Sequence, residues 1–155
     1  MALSERKWRV IIMFMGEYNH TIDPKNRIIV PIKLRDELGE KFVISEGFDG
    51  CLYLSKKEDW ENFCRKLLAL PGNYETRTLQ RRILSTSMEC EPDKQGRIIV
   101  PTNLKNKAKL EKDIVMVGII NRVEIWSKDI YEGESNDESL SAIMEKLSEK
   151  YDLQF

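Results

Sequence analysis

The sequence predicts an α+β protein made of two related half-domains that share one core. Three observations carry this. The stretch Asp23–Pro31, DPKNRIIVP, returns as DKQGRIIVP at Asp93–Pro101. The residues that follow each copy also align, EKFVISEGFDGCLYLSK over EKDIVMVGIINRVEIWSK, with one extra residue in the second. Hydrophobic residues make up 41% of 155, enough for a substantial core. A period of about 70 residues is too long for a solenoid of many short units and suits two pseudo-symmetric halves.

Each element follows from local pattern. EYNHTI and SMECE read as extended, DPKN and DKQG carry turn residues, and RIIV is a β-branched run expected to be a buried strand, so each copy opens as a hairpin. Pro31 and Pro101 stand where a first helical turn tolerates a missing N–H, and IKLRDELG ends on Gly39, a helix-stop signal. KFVIS and CLYLS are strands joined by EGFDG, and DIVMVG and VEIWS match them around IINR. SKKE at Ser55–Glu58 reads as a capping box. Trp60, Phe63, Cys64, Leu67 and Leu68 then fall on one helical face, which LPG ends. YETRTLQRRILS predicts a second helix, with Arg77, Arg81 and Arg82 on it and Leu79 and Ile83 turned inward. Ser127 stands where Ser55 stood, and GESND separates a short helix from a last one with an apolar stripe of Leu140, Ile143, Met144, Leu147 and Tyr151. That stripe is expected to dock on its own domain or on a neighbouring subunit.

These signals divide the chain into an N-terminal extension (1–12), a first half-domain with its helix (13–72), a connecting helix (73–86), a second half-domain (87–131) and a C-terminal amphipathic helix (132–155). No run of roughly 18 uncharged apolar residues is present, so no membrane span is expected. The opening MALSERKWRVIIMFMG lacks a small-residue cleavage pattern, which points to the cytoplasm. Cys51, Cys64 and Cys90 have no C-x-x-C spacing, and with His20 as the single histidine they make a poor zinc site; buried free thiols are expected.

The formal net charge of -1 hides an asymmetry. From Asp23 to Arg35, Lys25, Arg27, Lys33 and Arg35 oppose Asp23, a net +3; from Asp93 to Lys112, six basic residues oppose Asp93 and Glu111, a net +4. From Asp129 to Phe155 eight acids oppose Lys146 and Lys150, a net -6. Both copies are thus basic and the tail acidic, which suits a positive face for a polyanion.

The catalytic inventory is thin: one histidine, no G-x-S-x-G, no Walker loop, no H-E-x-x-H. Asp23 and Asp93 could be paired carboxylates for acid and base work, but a turn Asp has nearer uses, accepting backbone N–H groups and pairing with the Arg four residues on. No enzyme and no cofactor are expected. A guanidinium held by a carboxylate on a rigid hairpin, beside Lys25 in one copy and Lys94 in the other, offers planar donors that fit the O6 and N7 edge of guanine, while the lysines suit phosphates. Turn bracing alone is the competing reading; the duplication and the local positive charge favour DNA. So few base contacts per chain imply many copies acting together. A protein-interaction role for the hairpins, in an antitoxin-like or scaffolding oligomer, is the alternative.

MFMGEYNHTIDPKNRIIVP with DGCLYL and Trp60, then ECEPDKQGRIIVP, EKDIVMVG and NRVEIWSK, resembles the MraZ family of bacterial proteins, a tandem form of the AbrB-like swapped-hairpin transcription factors. The resemblance covers about Met13 to Tyr131. It implies two swapped-hairpin half-domains around a small β-barrel-like core with flanking helices. The implied function is a nucleoid-associated repressor of the division and cell-wall gene cluster that binds short G-containing direct repeats in its own promoter. The implied assembly is a homo-oligomeric ring of about eight subunits on double-stranded DNA. Arg27 falls on the family's DNA-reading Arg, with Arg97 its second-copy match; Lys25, Asn26, Lys94 and Gln95 fall on the hairpin positions beside them, and Asp23 and Asp93 brace. Asn26 replaces the usual first-turn Gly, kept as Gly96 in the second copy, and Asn tolerates a left-handed conformation. Met1 to Ile12 precede the usual family start.

Overall fold

The computed structural model describes residues 13–134 and 138–153; the expected extension 1–12, the end of the GESND separator and the last two residues lie outside the described residues. The first copy gives β1 (Glu17–Thr21), β2 (Arg27–Ile29), α1 (Ile32–Leu38), β3 (Phe42–Glu46), β4 (Leu52–Lys56) and α2 (Lys57–Leu68). Helix α3 (Tyr74–Thr86) connects it to the second, which gives β5 (Met88–Cys90), β6 (Arg97–Ile99), α4 (Thr102–Lys107), β7 (Asp113–Ile119), β8 (Arg122–Ser127) and α5 (Lys128–Gly133). Helix α6 (Leu140–Ser148) follows. The result is a mixed α+β fold in which strand, turn and strand, short helix and two strands occur twice; the two opening strands of a copy flank a turn but do not pair with each other, so the expected local hairpins are not formed. No helix among the described residues is long and apolar enough to cross a membrane.

The two copies are not side-by-side domains. Six antiparallel strands form one open sheet in the order β1-β7-β8-β4-β3-β5. Strand β1 pairs with β7 of the other copy, Glu17 opposite Val117 and Thr21 opposite Asp113. Strand β5 pairs with β3 of the other copy, Phe42 opposite Cys90 and Ile44 opposite Met88. The halves join where β4 meets β8, Leu52 opposite Ile125 and Leu54 opposite Val123. Strands β2 and β6 leave the sheet and pair only with each other, with Ile28 opposite Ile98 at the centre.

One core unites these parts. Phe42, Ile44, Leu52 and Leu54 from the first copy and Ile114, Met116, Val123 and Ile125 from the second are fully buried on one face of the sheet. They meet Ile28, Val30 and Leu34 and their equivalents Ile98, Val100 and Leu104. Each such side chain contributes about 1.5–3 kcal/mol by leaving water. Helices α2 and α3 cover the opposite face over β3 and β4, and α5 covers β7 and β8, so β3 is buried from Phe42 through Ser45. The chain before β1 also lies close: Phe14 bridges Ile120, and a Cβ at Gly118 would stand 2.5 Å from the Met15 backbone nitrogen, a space only glycine leaves open.

Several expectations need correction. RIIV is not buried throughout: Ile28 and Val30 point into the core while Ile29 is 45% exposed, and Ile99 is 57% exposed between buried Ile98 and Val100. A two-stranded ribbon has one free face, and side chains alternate across it. Ser55 forms no capping box, because it belongs to β4; α2 begins at Lys57 after Lys56, with no side-chain cap and with Glu58 and Asp59 in its first turn, where acids suit the helix dipole. Ser127 precedes α5, also without a side-chain cap. Leu68 is 81% exposed at the end of α2. Leu79 is exposed because Thr76, Gln80 and Ile83 are the inward face of α3, with Gln80 Nε2 donating to the Leu67 carbonyl at 2.9 Å. Asn73 caps that helix, its Oδ1 accepting from Thr76 N–H. Cys51 and Cys90 are buried thiols, but Cys64 is only half-buried. Along α6 the expected stripe is only partly covered: Leu140, Leu147 and Tyr151 are exposed, and Ile143 and Met144 are half-buried.

Candidate nucleic-acid interface

The two repeated turns have almost the same geometry. In the first, Asp23 Oδ1 accepts the N–H groups of Lys25 and Arg27, both at 2.9 Å, and Oδ2 accepts Arg27 Nε at 2.7 Å. In the second, Asp93 Oδ1 accepts the N–H groups of Gln95 and Arg97, both at 2.9 Å, and Oδ2 accepts Arg97 Nε at 2.8 Å. The backbone closes each turn, Asp23 and Asp93 N–H donating to the Arg27 and Arg97 carbonyls. Asn26 (φ 60°) and Gly96 (φ 78°) take the left-handed conformation the turn requires.

These bonds favour the charged carboxylates. At Asp23, loss of hydration raises the pKa, but the Arg27 N–H, its guanidinium and the Lys25 N–H outweigh this and hold it below the usual 3.8. At Asp93 the Arg97 N–H leads, with its guanidinium and the Gln95 N–H adding to it. Each carboxylate serves its own turn, which leaves neither poised as an acid or base. Among the described residues no group of three or more His, Cys, Asp or Glu could hold a metal.

Pairing of β2 with β6 places the arginines on one surface. Arg27 lies opposite Ile99 and Ile29 opposite Arg97. With Ile28 and Ile98 directed into the core, Arg27, Ile29, Arg97 and Ile99 share the outward face, the arginines on one diagonal and the isoleucines on the other. Each guanidinium is anchored through Nε and makes no further hydrogen bond among the described residues, so both terminal nitrogens remain to act as donors. Lys25, Lys94 and Gln95 are exposed at the turns. Asn26 is less free: its Oδ1 accepts from Lys105 Nζ at 2.9 Å.

The sequence reading missed two kinds of residue here. Ile29 and Ile99 were hidden because an alternating strand within a β-branched run looks like a buried one. Arg35 and Lys105 show only local charge in the sequence, yet both touch the turns of the opposite copy: the Arg35 guanidinium lies against Gly96 while its Nε donates to the Val30 carbonyl of its own copy at 2.8 Å, and Lys105 reaches Asn26. Their equal spacing from Asp23 and Asp93 was the available signal.

A two-stranded basic ribbon with one Asp-braced arginine per strand, standing outside a sheet assembled from two copies of one unit, defines a tandem-repeat hairpin protein. The pattern of the family described as "MraZ protein, putative antitoxin-like" matches residues 13–82 and again 83–150. The chain belongs to the MraZ family. It is 53% identical over 137 residues to "Transcriptional regulator MraZ" of Lachnoclostridium phytofermentans, covering 88% of this chain and 96% of the relative. It is 48% identical over 141 residues to the protein of that name from a Thermoanaerobacter species, covering 90% and 97%. To the one from Clostridium beijerinckii it is 50% identical over 140 residues, covering 88% and 98%.

Proposed function

We propose that the chain is a sequence-specific DNA-binding transcriptional regulator whose β2/β6 ribbon enters the major groove, a groove wide enough for a two-stranded ribbon. The observation that carries this is the shared outward face of Arg27 and Arg97, each fixed by its own aspartate. Their free terminal nitrogens meet guanine O6 and N7, Lys25 and Lys94 meet phosphates, and Gln95 and the remaining amide of Asn26 add polar contacts at the rim. The relatives' names as transcriptional regulators support the same reading. The pairing of each copy's opening strand with the other copy supports a swapped-hairpin organisation. The regulator works in the cytoplasm on the nucleoid, repressing the division and cell-wall cluster from direct repeats in its own promoter, as a ring of about eight subunits whose combined contacts offset weak binding by one chain.

A protein-partner role is the second reading, favoured by the exposed Leu140, Leu147 and Tyr151 along α6 on an acidic tail. The two separate in a gel shift with a promoter fragment, using wild type, Arg27→Ala and Arg97→Ala across a salt series. DNA recognition predicts steep loss of wild-type binding with salt and weakened specific binding in each variant, with the oligomer unchanged by light scattering. Unchanged affinity in both variants would remove the arginines from the reading.

A further inference from the structure

We propose that Lys105 and Arg35 are positioning residues for the reading heads of the opposite copy: Lys105 on α4 sets the turn that carries Arg27, and Arg35 on α1 sets the turn that carries Arg97. This rests on the DNA-reading role of the ribbon and says how its arginines are held.

Lys105 stands as far from Asp93 as Arg35 does from Asp23, so the two are equivalent by the repeat. Each reaches across to the other half. Lys105 Nζ donates to Asn26 Oδ1 at 2.9 Å, one residue before Arg27. Arg35 packs its guanidinium over Gly96, one residue before Arg97, so closely that a Cβ there would lie 2.6 Å from Arg35 Cζ. The backbone makes the same exchange: Val100 N–H donates to the Asn26 carbonyl at 2.7 Å, and Val30 N–H to the Gly96 carbonyl at 3.0 Å.

The partners at the two equivalent positions are matched. Asn26 has a side-chain acceptor and faces a lysine with a single compact donor group, which gives a charge-assisted hydrogen bond. Gly96 has no side chain and faces an arginine whose planar group fills the space left. Exchanging one member alone breaks the match: a side chain at 96 displaces Arg35, and glycine at 26 leaves Lys105 without its acceptor. A recognition group works only when its supporting shell holds it to within about 0.5 Å. Here part of that shell for each head is supplied by the other repeat, so neither turn is a complete reader alone.

The test is a double-mutant cycle on the full chain, comparing wild type, Lys105→Ala, Asn26→Gly and the pair. Binding is measured to a promoter duplex and to the same duplex with 7-deazaguanine at the repeat guanines, which removes N7 without altering pairing. Positioning predicts that Lys105→Ala and Asn26→Gly each lower the preference for natural guanine about fivefold or more, that the pair loses no more than either alone, and that Lys105→Arg retains the preference. Equal loss on both duplexes for Lys105→Ala, with Asn26→Gly unaffected, would make Lys105 a direct phosphate contact and overturn the proposal. A DNA-free arm follows the Nε–Hε signals of Arg27 and Arg97 in ¹⁵N spectra. Lys105→Ala should broaden or shift Arg27 while sparing Arg97, and Arg35→Ala should do the reverse. Unchanged signals would overturn the clamp whatever DNA does. If wild type itself ignores the guanine replacement, guanine reading fails while the spectra still decide whether the clamp exists.

Discussion

Neighbouring residues of one short strand should respond in opposite ways to the same truncation. Ile28 is 1% exposed in the shared core, whereas Ile29 is 45% exposed on the outward ribbon face. Removing the Ile28 side chain beyond Cβ leaves a cavity against a well-packed core, a loss of about 2–5 kcal/mol for Ile→Ala. Ile29→Ala removes atoms already largely in water and, as a surface change, should cost about 0.5 kcal/mol or less. In urea, with a slope of about 2 kcal/mol/M, the first loss moves the unfolding midpoint down by about 1 M or more, and the second by about 0.3 M or less. On the DNA-reading proposal Ile29 also presents an apolar surface suited to a thymine methyl, so Ile29→Ala should weaken binding to a promoter fragment while its midpoint stays near wild type. Equal midpoint shifts for the two variants would mean that the ribbon does not expose one face, and the placement of Arg27 and Arg97 would fall with it.

The Asp–Arg braces should persist through mild acid. Both carboxyls sit below their usual 3.8, so the stabilisation is present above that value and is lost as pH falls through the lower folded values; carboxyl ¹³C titrations of Asp23 and Asp93 with midpoints at or above 3.8 would contradict the brace. The thiols should divide by burial. Desolvation pushes Cys51 up to about 12 and Cys90 to about 11, so a thiol reagent at neutral pH should label Cys64 first and the other two only on unfolding; rapid labelling of Cys51 or Cys90 in the native protein would contradict their burial.

How much of this was legible in the sequence depended on range. The Asp23–Arg27 and Asp93–Arg97 braces lie within four residues, and the repeat made them visible twice. The turns, the short helices and the β3/β4 and β7/β8 pairs followed from turn residues and β-branched runs, but the opening strands do not pair as local hairpins: β1 pairs with β7, β5 with β3, and β2 with β6. What stayed hidden was which elements meet. Nothing local in EYNHT states that it pairs with β7 instead of a strand of its own half, and the Lys105–Asn26 contact spans 79 positions. Ser55 failed as a helix cap for a related reason: β4 continues through it because its partner Val43 holds it in the sheet, and tertiary pairing overrode a local signal. Leu79 read as inward because it is apolar, yet the face of α3 that meets the rest of the protein carries Thr76 and Gln80.

The exchange of opening strands has a consequence for how the chain is made. Strand β3 gains its outer neighbour only when Met88–Cys90 is available, and β1 gains its neighbour only when Asp113–Ile119 has been synthesised. The first half therefore leaves the ribosome with its β3/β4 pair open on both sides and its first strand unpaired; β3 waits for residues in the middle of the chain, and β4 and β1 wait for β8 and β7 beyond them. Such distant pairings make folding slow relative to a protein of local contacts. In return, because both partners of the exchange belong to one polypeptide, the completed sheet is independent of protein concentration, and whatever assembly follows can begin from a finished unit.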